Sequence, residues 1–306
     1  MNKFLAKTFF IFSIIITSYV LLGFLADGKT DPFYLRFTSP KQHSLILGSS
    51  RAAQGIVSTI LNDELDEAIL EGEIYNYSFT VLHSPFGAVY LNAIKEKLSE
   101  KTKKGLFIIS VDPWSISSRI DIDYPRESKL ELAKISEFNS YPNYDYLRNA
   151  YQDSFFSLIP KKITPNQKMK LHNNGWLEMS IELDSIVIKK GSALKLYNYK
   201  TKKLPRNKIS ESRIFYLEKI IKLLKKHGKV ILVRIPLDKR MLEIENMLDS
   251  SFNSKMKFIA EKNNIPYMLY KDDNYLFPDG NHLYKESGKK FSKLLAKDIN
   301  QLFVNE

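Results

Sequence analysis

Five short β-type apolar runs recur along this chain with helical patterns between them, and that alternation constrains its fold more than any other feature. The runs are His43 to Leu47, Ile74 to Phe79, Gly105 to Val111, Lys229 to Ile235 and Ile265 to Tyr270. The helical patterns cover Ala52 to Leu70, Phe86 to Leu98, Ser210 to His227, Leu248 to Asn263 and Lys285 to Phe303. Strands that alternate with helices predict a parallel sheet covered on both faces, with right-handed crossovers. The expected class is α/β, a three-layer α/β/α sandwich. One interval breaks the rhythm. Residues 112–205 mix Tyr, Asn, Pro and Lys, with short amphipathic pieces and no long periodic helix. So long an excursion exceeds any ordinary βα loop, and it reads as an insertion after the third strand that caps or shapes a site.

The amino end carries a different signal. Thr8 to Ala26 contains no charged residue, with Lys3 and Lys7 before it and Asp27, Lys29 and Asp31 after it. As a helix rising about 1.5 Å per residue, that stretch matches the ~30 Å hydrocarbon core of a bilayer. A cleaved signal peptide would have a shorter apolar region, and a cut after Ala26 would require a small residue where Phe24 stands. Residues 1–26 are therefore expected to be one N-terminal transmembrane anchor. The lysines hold its short end in the cytoplasm and put the rest on the exported, periplasmic side. Gly28 to Gln42, with Pro32 and Pro40, reads as a juxtamembrane connector, giving residues 27–42 as linker and 43–306 as the folded domain. The chain has no cysteine, which excludes disulfides and lipid attachment through a thiol. Its formal charge is +12. A basic exported domain suits anionic headgroups or acidic glycans, whereas dispersed lysines behind a membrane anchor point away from nucleic acid. His43, His83, His172 and His227 fall in separate elements, so neither a metal nor another cofactor is implied.

Two segments carry candidate chemistry. Ser44-Leu45-Ile46-Leu47-Gly48-Ser49-Ser50-Arg51 is an apolar strand ending in a tight turn that hands over to a helix. A serine there projects at the carboxyl edge of the sheet, where open α/β folds hold their sites. Pro278-Asp279-Gly280-Asn281-His282-Leu283 spaces an acid and a histidine so that both can face one pocket. Each segment alone is an ordinary turn or polar loop; together they supply a nucleophile, a base and a carboxylate to orient the base.

Gly48-Ser49-Ser50 near one end with Asp279-x-x-His282 near the other resembles the SGNH/GDSL hydrolases. The resemblance implies a flavodoxin-like sheet, Ser50 as nucleophile, His282 as general base and Asp279 as its partner. Serine in place of the aspartate of Gly-Asp-Ser is most similar to the membrane-anchored branch linked to envelope acylation, including the teichoic-acid D-alanylation and alginate O-acetylation proteins. That branch implies an envelope glycan or lipid-linked saccharide as substrate, and a multi-spanning membrane acyltransferase or envelope complex as partner. The two middle blocks depart from the family. Tyr75-Asn76-Tyr77-Ser78 has Ser78 where a glycine is expected, and Ile108-Ile109-Ser110-Val111-Asp112-Pro113-Trp114 lacks Gly-x-Asn-Asp. Oxyanion donors are then expected from the Ser50 amide with Asn76 or Ser78, and losing one donor costs ~10²–10³ in rate. Two expectations follow, an esterase or O-acyltransferase and a catalytically degraded scaffold of the same fold. Arg51 and Arg234 are candidates for holding an anionic substrate group, with ion pairing as the alternative. Trp114 and Trp176 are candidates for stacking on sugar rings, with packing as the alternative.

Overall fold

The computed structural model describes residues 1–121, 127–151, 153–165, 168–271 and 274–303. It is a mixed α/β structure built on a five-stranded parallel sheet, preceded by one apolar helix. The strands are β1 (Ser44–Leu47), β2 (Ile74–Asn76), β3 (Gly105–Ser110), β4 (Gly228–Arg234) and β5 (Tyr267–Leu269), in the order β2-β1-β3-β4-β5. All four pairings are parallel, with Leu45 beside Phe107, Ser110 beside Val233 and Leu232 beside Tyr267. Side chains alternate across a strand, so β1 and β3 feed two cores. Leu45, Leu47, Phe107 and Ile109 enter one apolar cluster, and Ile46, Leu106 and Ile108 enter another on the opposite face.

The helices used below are α1 (Asn2–Gly23), α2 (Ser50–Gly55), α3 (Ser58–Glu64), α4 (Ala88–Lys97), α5 (Leu158–Ile163), α6 (Ser185–Asn198), α7 (Glu211–Leu224), α8 (Lys239–Leu248), α9 (Phe252–Lys262) and α10 (Lys285–Phe303). Leu217, Ile221 and Leu224 of α7 pack in the first cluster, with Met256 and Ile259 of α9. Phe291, Leu295 and Ile299 of α10 recur at helical spacing and pack in the second.

Three sequence expectations are corrected. The continuous helix expected over Ala52 to Leu70 is broken: α2 ends at Gly55, and α3 runs only from Ser58 to Glu64. The break exposes backbone groups, and two side chains satisfy them. The Asn76 amide donates to Ala52 O and Ile56 O at 2.9 Å each, and Val57 N–H donates to Ser292 Oγ at 2.8 Å. The connector is no free linker. It forms a short helix at Tyr34–Thr38 and buries Phe33, Tyr34, Arg36 and Phe37 in the core. Arg36 gives its protons to three carbonyls, those of Pro32, Asn76 and Gly175, which is how a fully buried guanidinium is accommodated. Finally, the 112–205 insertion holds one long helix, the fourteen-residue α6, capped by the Asp184 carboxylate on the amides of Ile186 and Val187. The entry and exit of the insertion are clasped by antiparallel pairing of Ser117–Arg119 with Asn207–Ile209.

α1 is long and apolar enough to cross a membrane and is not buried by the rest of the chain.

Candidate active site

β1 ends in a turn at Gly48, whose φ of +148° lies where side chains are rarely tolerated. A Cβ there would sit 2.9 Å from Ser110 Cβ and O, so the turn needs glycine for space as well as for geometry. Its backbone is fully used: the N–H donates to Tyr90 OH at 3.1 Å, and the carbonyl accepts from Ser84 Oγ at 2.8 Å. Ser49 is then the residue before α2, and its hydroxyl donates to Asp112 Oδ2 at 2.8 Å. Ser50 opens α2 beside the crevice between β1 and β3, where the strand order reverses.

The Ser50 hydroxyl lies 2.8 Å from His282 Nε2, and His282 Nδ1 lies 2.7 Å from Asp279 Oδ2. Asp279 only accepts, which puts the imidazole proton on Nδ1 and leaves Nε2 to accept from the serine. The other carboxylate oxygen, Oδ1, accepts the backbone N–H groups of Asn281 at 2.9 Å and His282 at 2.8 Å. One oxygen therefore shapes the loop while the other orients the base. Gly280, at φ +71°, makes the turn possible and faces Ser192 and Leu196 of α6.

Three side chains that the sequence did not single out surround these residues, two of them touching the acid and the base and one behind Arg51. Lys195 of α6 donates to Asp279 Oδ2 at 2.5 Å, and its Nζ is 3.3 Å from His282 Nδ1. Asn281 places its amide nitrogen 3.2 Å from His282 Nε2, while its oxygen accepts Arg51 Nη2 at 2.7 Å. Glu245 of α8 lies 2.6 Å from Arg51 Nη1 and 2.8 Å from Arg234 Nη2. A signal existed only for Asn281, which stands beside the histidine in its own block.

Burial raises the Asp279 carboxyl, but the hydrogen bond and charge of His282 and the ammonium of Lys195 outweigh it and hold the group well below the carboxylate range. Burial, aided by the charges of Lys195 and Arg51, pulls the His282 imidazole below its ordinary value despite Asp279. Both shifts favour a neutral base facing an ionised acid near neutral pH.

The remaining candidates fall elsewhere. Asn76 spends its amide capping α2, and Ser78 donates its hydroxyl to Ile46 O at 3.2 Å and its N–H to Asn76 Oδ1 at 3.2 Å. Neither is placed as an oxyanion donor. The amide of Ser50 belongs to the first turn of α2, where N–H groups have no intrahelical acceptor. Arg51 and Arg234 are buried on Glu245, with Arg234 also donating to Asn253; they are ion-pair formers rather than open anion ligands. Trp114, 6% exposed, meets Tyr199 edge-on, and Trp176, 4% exposed, stacks on His172 and donates Nε1 to Gln54 O at 3.0 Å. Both rings are packing anchors, with no face open to a sugar.

No protein-family model and no curated protein matches this chain.

Proposed function

We propose that the protein is a membrane-anchored serine esterase or O-acyltransferase of SGNH type that uses Ser50, His282 and Asp279. The observation that carries the reading is the unbroken hydrogen-bonded series from the Ser50 hydroxyl through His282 to Asp279, contributed by two segments more than 200 positions apart. The strand order is the flavodoxin-like one, with apolar cores on both sheet faces, and supports a three-layer α/β/α sandwich.

In the reaction, His282 Nε2 takes the Ser50 proton as the oxygen adds to an ester carbonyl carbon, forming a tetrahedral oxyanion. The Ser50 N–H and the Asn281 amide, whose nitrogen lies 3.2 Å from His282 Nε2, stabilise that charge. Collapse breaks the bond to the alcohol, which leaves with the proton from His282, and an acyl-serine remains. Water or an acceptor hydroxyl then adds to the acyl carbon, gives its proton to His282 and releases Ser50 with its proton restored. The acyl product is an acid when water attacks and a new ester when an alcohol does. Asp279 keeps its charge throughout and stabilises the imidazolium.

The resemblance supplies the substrate class, an acylated envelope glycan or lipid-linked saccharide on the exported side of a bacterial membrane, and a multi-spanning acyltransferase as partner. The orientation follows from Lys3 and Lys7 ahead of α1. A second reading, a scaffold of the same fold with degraded catalysis, is favoured by one observation: Asn76 and Ser78 are committed to structural bonds. Labelling of the full chain in detergent with a fluorophosphonate separates the two. The enzyme reading expects modification at Ser50 that is lost in Ser50→Ala and His282→Ala; folded wild-type protein that stays unlabelled overturns it in favour of the scaffold.

A further inference from the structure

The soluble part does not hang from α1 by a free tether. Tyr19, in the last turns of α1, stacks on Phe155 at 4.5 Å between ring centres and on Tyr144 at 5.7 Å. The Tyr144 hydroxyl donates to Val20 O at 2.7 Å, and Gly23 clears the way, since a Cβ there would come 2.5 Å from the Tyr144 ring. Tyr141 donates to Phe24 O at 3.2 Å, and Lys162 pairs with Asp27 at 2.6 Å. Aromatic stacking, carbonyl capture and an ion pair together fix the domain against the end of the helix.

That clamp sets a height. Tyr19 lies four residues before Gly23, so Phe155 is held about 6 Å inside the end of α1 at 1.5 Å per residue. The segment that follows presents Phe156, 73% exposed, and Ile163, 77% exposed, with Ile159 on the same face of α5 one turn before Ile163. Leu158 of the same helix is fully buried and ties it to the core. Large apolar side chains grouped at the level of a membrane-crossing helix, next to Lys161 and Lys162, have the composition of an interfacial element.

We propose that Phe155–Ile163 is a second membrane contact, which lies in the interface of the bilayer that α1 crosses and fixes the height and tilt of the catalytic domain above it. The occupant is lipid rather than protein because the segment is continuous, through Tyr19 and Phe155, with the surface of α1 that faces acyl chains. The inference rests on α1 spanning the membrane and is independent of the chemistry at Ser50.

Full-length protein in phosphatidylcholine–phosphatidylglycerol vesicles, with and without lipids brominated in the upper acyl chain, provides the test. Tryptophan is introduced singly by Phe156→Trp and Ile163→Trp, with Phe12→Trp in α1 as the inserted reference. Phe258→Trp, on α9 beside the edge strand β5, is the aqueous reference, and the buried Trp114 and Trp176 supply a constant background. Bromolipid is expected to cut the added emission at 156 and 163 at least about twofold, as at position 12, and to leave position 258 unchanged. Quenching at 12 without quenching at 156 and 163 overturns the interfacial contact while leaving the span intact. Shielding of 156 and 163 from aqueous acrylamide in that case identifies a protein occupant instead. Absence of quenching at all three positions overturns the span and the contact together.

Discussion

Ser50 and Arg51 are consecutive residues that end in regions of opposite character. Ser50, half-buried, meets the buried His282, and behind it stand Asp279 and Lys195. Arg51 turns inward to Glu245 and Asn281, and Glu245 is closed on its other side by Arg234. Both regions hold cations beside a carboxylate, so charge alone does not distinguish a reactive site from a structural one. The difference is saturation. In the buried network both guanidiniums close on the one Glu245 carboxylate at contact distance. At Ser50 the final member of the series is a hydroxyl whose acceptor is a neutral base, and in the proposed reaction an acyl carbon replaces the serine proton as the partner of that oxygen.

Substitutions test that contrast from both sides. Ser50→Ala should lower turnover and fluorophosphonate labelling to background, a loss on the order of 10⁴-fold or more, with an unchanged thermal midpoint. A comparable residual rate would move the nucleophile elsewhere. Glu245→Ala should do the reverse. It strands two buried guanidiniums and should cost about 3–5 kcal/mol in denaturant unfolding, as breaking a buried pair does. An unaltered midpoint would mean that the network is dispensable. Asn281→Asp keeps an acceptor for Arg51 but removes the amide donor beside His282, and a rate loss of about 10²–10³ with the fold retained is expected if that donor serves the oxyanion. A rate within a factor of a few would assign the charge to backbone alone.

Lys195→Met is the mildest and the most diagnostic. The His282 imidazole titrates below its ordinary 6.5, and the acid limb of the pH–rate profile should follow it. Removing a cation 3.3 Å from Nδ1 makes the protonated ring easier to form, so that limb should move toward higher pH. Asp279, held well below the carboxylate range, stays ionised across this interval, so the movement reports on the imidazole. A limb that stays fixed would reduce Lys195 to a loop contact.

The sheet was legible because buried parallel strands are short apolar runs, and those runs lie within three residues of the observed strands at each end. The juxtaposition of Ser50, His282 and Asp279 was legible because the glycine turn and the Asp-x-x-His spacing are local patterns. Lys195 was not, because α6 exposes Ile186, Val187 and Leu194, and a helix with apolar residues on its open face shows no clean buried stripe. Helix α8 was missed for another reason. Its Asp238 cap and its Met241 and Ile244 face are legible, yet the helical patterns place the next helix at Leu248 to Asn263 and give 236–247 no element, which hides Glu245 and with it the role of both arginines. The exchange of Asn76 from oxyanion donor to helix cap is a tertiary event, fixed by a break in α2–α3 that the pattern from Ala52 to Leu70 does not announce.

The three-residue pairing of Ser117–Arg119 with Asn207–Ile209 has an architectural consequence. Two paired strands lie about 4.8 Å apart, so everything between them leaves and rejoins the framework through a doorway one strand spacing wide. The doorway is reinforced from within: Gly175 O receives the buried Arg36, Trp176 donates to Gln54 of α2, and Tyr146, Leu147 and Leu158 enter the first core, so the insertion that brings Lys195 to Asp279 is braced against the same framework that carries Ser50.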